Sequence, residues 1–79
     1  MNTMNELFDR WTEIQKRSYP SAPPTVGMVQ QRISDELHVL EALDAAGCSQ
    51  IPGEAFDVRF LIDDRHRLLR EMRERLSQI

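Results

Sequence analysis

The chain reads as an all-α protein whose core is an antiparallel helical hairpin. Three observations predict this. Apolar residues recur at spacings of three and four through two long segments, about 25–46 and 54–78. A short connector between them forces the segments to lie side by side in opposite directions. A shorter segment, about 3–17, has the same periodicity and is set off by the proline-rich stretch 18–24, so it is expected to pack on the hairpin as a third helix.

Seventy-nine residues make a single helical domain, 1–79, near the lower size limit for independent folding. Domains this small often gain stability by oligomerising. With 41% apolar and 29% charged residues, the chain is too apolar for a disordered tail. Its net charge of −3 does not favour nucleic acid as a partner. Cys48 is the single cysteine, which excludes an intramolecular disulfide and favours a reducing cytoplasm. The first residues lack the basic start and apolar stretch of a signal peptide. The longest run of large apolar residues is Phe60-Leu61-Ile62, so no membrane association is expected.

In the first segment Thr3 precedes Glu6 by three, the capping-box spacing. Met4, Leu7, Phe8, Trp11 and Ile14 then share one face. Glu6 with Arg10 and Glu13 with Arg17 stand four apart in the favourable order, and Lys16 and Arg17 suit the negative end of the helix dipole. Residues 18–24 stop the helix, because proline lacks a donor and biases its predecessor towards extended backbone.

The second segment carries Val26, Val29, Ile33, Glu36, Leu40 and Leu43 along its stripe, and Gly47 follows as a left-handed cap. Gly27 falls in the first turn, at a helix penalty of about 1 kcal/mol. The third segment repeats Ala55, Val58, Ile62, Arg65, Leu69, Met72, Leu76 and Ile79, a heptad seam of the coiled-coil kind. Residues 56–60 also alternate as a strand would, but helix is the preferred reading from residue 54 onwards.

Folding the chain about residue 50 or 51 places Leu43 near Val58, Leu40 near Ile62, Ile33 near Leu69, Val29 near Met72 and Val26 near Leu76. The same arithmetic sets Glu36 opposite Arg65, the only polar interruption of either stripe. They are expected to pair across the hairpin and help set its register. Leu37, Val39, Leu61 and Leu68 widen the stripes beyond what two helices cover, so the first helix, with Phe8 and Trp11, is the expected lid.

No catalytic, cofactor or metal site emerges. His38, His66 and Cys48 lie in separate elements without metal-ligand spacing. Asp63 and Asp64 are adjacent, which on a helix sends them apart, and with Asp63 four before Arg67 they are expected to be solvated helix charges rather than a catalytic acid–base pair. No nucleophile elbow or glycine-rich phosphate loop occurs. Residues 45–50 superficially resemble the turn of a helix-turn-helix, but Pro52 and Gly53 would then interrupt the recognition helix.

Two features point to partners. From Arg65 onwards there are Arg67, Arg70, Arg73 and Arg75 against Glu71 and Glu74, while 25–46 is acidic. Complementary helices explain this, and a basic strip of Arg67, Arg70 and Arg73 for an acidic protein or a phosphate backbone is the sharper alternative. Phe56 and Phe60 fall outside the seam. Cover by the first helix or the proline linker is the expected outcome, and an aromatic anchor for a partner is the alternative. The expected function is therefore a non-enzymatic regulator, adaptor or inhibitor that offers a helical surface to a larger protein and forms a homodimer. A nucleic-acid-binding regulator using the arginine-rich helix is the second reading, and a structural subunit of a larger assembly is the third.

Overall fold

The computed structural model describes residues 3–77, in which three helices run α1 (Thr3–Lys16), α2 (Val26–Ala45) and α3 (Val58–Ser77). No strand occurs among the described residues. α2 and α3 pack against each other as the hairpin, and α1 packs on α2.

The ends of α2 are set by local chemistry. Thr25 stands in extended backbone, and its hydroxyl accepts the Met28 N–H at 3.2 Å, satisfying one of the orphan donors of the first turn. At the other end Gly47 adopts φ +84°, which only glycine tolerates without strain. Its N–H reaches the Asp44 carbonyl at 3.0 Å and the Cys48 N–H reaches Leu43 at 2.9 Å. These two bonds form a Schellman motif that turns the chain out of the helix.

α3 begins later than the periodicity predicts. Residues 54–57 are not helical, because Asp57 caps the helix: its carboxylate accepts the Phe60 N–H at 2.8 Å and its carbonyl the Leu61 N–H at 3.1 Å. Ala55 is accordingly not a seam residue, and the connector is about twice the expected length. It is ordered by its own bonds. The Val58 N–H reaches Ser49 at 2.9 Å, and the Gln50 side-chain amide reaches the Glu54 carbonyl at 2.6 Å. At the N-terminus Thr3 already lies inside α1, so it is not the capping residue. The Ile79 end of the seam lies outside the described residues. Arg17 follows the end of α1 and pairs with Asp35 of α2 rather than Glu13, and Glu6 and Arg10 do not pair.

The core sits at the connector half of the hairpin. Trp11 and Ile14 from α1, Val39, Leu40 and Leu43 from α2, Ile51 from the connector, and Val58 and Leu61 from α3 form one buried cluster. α1 is therefore the lid that Val39 and Leu61 required. Ile51 was not expected there, although it is the only large aliphatic residue of the connector.

The far half is open. Ile33 and Leu37 are buried, but Val26 and Leu76 are 46% and 45% exposed, so the layer expected between them does not close. The reason is length. With 14 residues α1 spans about 21 Å, against about 30 Å for the 20 residues each of α2 and α3. Contacts from Gln15 to Arg32 and from Arg17 to Asp35 show where α1 ends along α2. The first turns of α2 and the last turns of α3 extend past that point.

Truncations should follow this division. Leu43→Ala, at a fully buried position, should lower the unfolding free energy by about 3 kcal/mol, and Leu76→Ala by less than about 1 kcal/mol, in urea denaturation. Gly47→Ala should cost about 1 kcal/mol, since the alanine must hold a left-handed backbone.

Candidate functional site

Three groups of side chains stand out, and only two of them face solvent. The buried group is the layer around Glu36, which is 4% exposed. Arg65 Nη2 donates to Glu36 Oε2 at 3.1 Å, and the Gln15 amide donates to the same oxygen at 2.6 Å. The second guanidinium nitrogen, Nη1, donates to Asp64 at 2.9 Å. The guanidinium also lies over the Trp11 ring, 5.8 Å from its centroid, a cation–π contact. Trp11 Nε1–H in turn donates to Glu54 Oε1 at 2.9 Å. One layer thus ties α1, α2, α3 and the connector together. Its side chains are bonded chiefly to one another, so the layer holds the fold. The Arg65 Nε is buried without a hydrogen-bond partner among the described residues, a cost that the other two nitrogens offset.

The aromatic group is exposed. Phe56 and Phe60 are 54% and 48% exposed, so neither α1 nor the proline linker covers them as expected. α1 lies against α2, and the capped turn at Asp57 folds Phe56 back onto Phe60 instead. The two rings stack with centroids 4.4 Å apart and planes at 22°. They form an apolar platform at the connector end of the molecule.

The basic group divides in two. Arg67 is held by Asp64 at 2.6 Å and Glu71 at 3.0 Å, and these two carboxylates raise the pKa of its guanidinium. Asp64 pairs with Arg67 across a three-residue step of the helix. Arg70 and Arg73 are exposed and make no ion pair among the described residues, lying near His66, Glu74 and Ser77 on one side of α3. The three arginines are therefore not one strip: one is neutralised and two are free. His66 sits 3.8 Å from Glu41.

The other candidates stay apart. Among the described residues no three His, Cys, Asp or Glu side chains converge as metal ligands would. The Cys48 thiol donates to the Gln50 carbonyl at 3.2 Å, and His38 is exposed. No helix of the described residues is long and apolar enough to cross a membrane. Comparison with protein-family models, curated proteins and solved structures returns no match.

Two carboxylates carry lowered pKa values. A hydrogen bond from Arg17 lowers that of Asp35, and one from Arg67 lowers that of Asp64. Both folded values lie below the ordinary 3.8, so the stability these groups add is complete above it and disappears as pH falls through the folded values. The melting temperature should hold steady down to about pH 5 and decline below about pH 4. Arg17→Ala should shrink that decline, as followed by circular dichroism across a pH series.

The buried pair makes a sharper prediction. Glu36→Ala or Arg65→Ala alone should destabilise by about 2 kcal/mol or more, because each leaves the other charge without its counter-ion. Replacing both with Leu and Met should cost less than the sum. A double-mutant cycle in urea with no coupling between positions 36 and 65 would show that they do not act as a pair.

Proposed function

We propose that this chain is a small non-enzymatic protein-binding module, a regulator, adaptor or inhibitor of a larger protein, with the Phe56–Phe60 platform as its anchor. The observation that carries this reading is the platform itself. Two stacked phenyl rings are left about half exposed in a chain with very little apolar material to spare. Aromatic side chains bury about 150–250 Å² each, so covering the exposed halves would remove on the order of 200 Å² of apolar surface from water. At about 25 cal/mol per Å² that is a gross gain of about 5 kcal/mol, before the costs of association. Such a cluster is the usual centre of an interface, and polar neighbours such as Asp57 and Arg59 supply the rim.

A homodimer is the resting form this reading expects, with the platforms of two copies covering each other until a partner displaces one. The setting is a reducing cytoplasm, where Cys48 remains a thiol.

The test compares the native chain with the double variant F56S/F60S as bait in cells of the source organism. Both positions are about half exposed, so the variant should keep the helicity of the native chain. At least one larger protein should be captured by the native chain and lost with the variant. Equal retention of every captured protein by both baits would rule out the platform as the anchor.

A further inference from the structure

The opposite end of the hairpin carries a second unfilled surface. Val26 and Val29 on α2 and Leu69, Met72 and Leu76 on α3 continue the two seams beyond the end of α1, and all five are exposed or only partly buried. In the connector half, the amphipathic helix α1 lies on α2 and adds Trp11 and Ile14 to the buried cluster. The far half repeats the arrangement of two antiparallel helices with an apolar seam, but lacks the third helix.

The charge around this end is positive on balance. Residues 26–34 and 68–77 contain Arg32, Arg70, Arg73 and Arg75, and their only carboxylates are Glu71 and Glu74. Glu71 is already engaged by Arg67. Arg70, Arg73 and Arg75 make no ion pair among the described residues. Arg73 follows Leu69 by four and precedes Leu76 by three, so it borders the apolar strip on its own helix. The rest of the chain holds the other carboxylates and brings the net charge to −3.

We infer that this end is a docking groove for an acidic amphipathic helix of another protein. The helix lays its apolar face along Val26, Leu69 and Leu76, and its flanking carboxylates meet Arg70 and Arg73. Packed helices stand about 8–10 Å apart, a spacing at which a third helix can lie along the open seam of α2 and α3. Like charge disfavours a second copy of this chain in the same place. A two-fold contact would bring the unpaired arginines of both copies together, with only Glu74 on each side to offset them. The groove is separate from the aromatic platform, and its occupancy does not depend on Phe56 or Phe60.

The experiment uses the full chain, labelled with ¹⁵N, and two synthetic amphipathic peptides of roughly 20 residues, long enough to span the groove as a helix. They share a leucine face and differ only in carrying Glu or Lys on its flanks. The Glu peptide should bind saturably, with amide shifts concentrated at Val26, Val29, Leu69 and Leu76, and the Lys peptide about tenfold or more weakly. R73E should reverse that preference, L76E should weaken both peptides, and F56S/F60S should change neither. Equal affinity for the two peptides, or shifts centred elsewhere, overturns the inference. So does a self-associating native chain made monomeric by L76E, which would name a second copy as the occupant. Binding to a DNA duplex that exceeds peptide binding and depends on Arg70 and Arg73 but not on Leu76 would assign the arginines to phosphate instead.

Discussion

The ion pair between Glu36 and Arg65 is the constraint around which the rest of this small fold is arranged. A carboxylate that is 4% exposed is tolerated only if donors surround it, and here those donors come from two different helices. Arg65 fixes how far α3 slides along α2, because a one-turn slip would carry its guanidinium out of reach. Gln15 fixes where α1 ends along α2, and the Trp11 ring beneath the same guanidinium sets how α1 leans towards α3. The pair need not contribute much stability to matter, since desolvation offsets much of its attraction. Its role is specificity: misregistered packings strand a buried charge.

The layer also marks a boundary. On the connector side the apolar residues are covered by α1 and close into one cluster. On the other side α1 ends, and beyond the buried Ile33 the seam becomes progressively exposed out to Val26 and Leu76. The asymmetry follows from the lengths of the helices and the early helix stop after Lys16, where the chain turns into the proline stretch. The linker lies alongside the first turns of α2, with Arg32 over the Tyr19 ring at 5.6 Å and the Ser21 hydroxyl 3.6 Å from the Met28 sulfur. It provides little apolar cover for the seam facing α3. The two exposed apolar features, the phenyl platform and the far seam, therefore lie at opposite ends of one hairpin.

Much of this was legible in the residue pattern. The seam spacings placed the three helices to within a residue or two at most ends, and folding the chain about residue 50 or 51 brought Glu36 to Arg65. Both inferences rest on periodicity, which a single chain displays in full. The misreadings came from what periodicity does not encode. Residues 54–57 continue the apolar rhythm through Ala55, but Asp57 competes for the backbone donors that follow it and starts the helix later. The expected cover for the phenylalanines failed with that boundary. The bonds from Trp11 to Glu54 and from Gln15 to Glu36 depend on the angle at which α1 crosses α2, which no local signal sets. Asp64 pairs with Arg67 because spacings of three and four are both open on a helix, and Arg65 already draws Asp64 to that side.

One half of the hairpin is closed by a lid and a polar layer, while the other half stays open. Native-state hydrogen exchange, resolved by residue on a dilute monomeric sample, measures this directly. Amides of residues 36–43 and 61–65 should exchange only through global unfolding, and those of residues 29–32 and 70–77 through local opening at least about 2 kcal/mol cheaper. Uniform protection along the whole of α2 and α3 in the monomer would contradict the account.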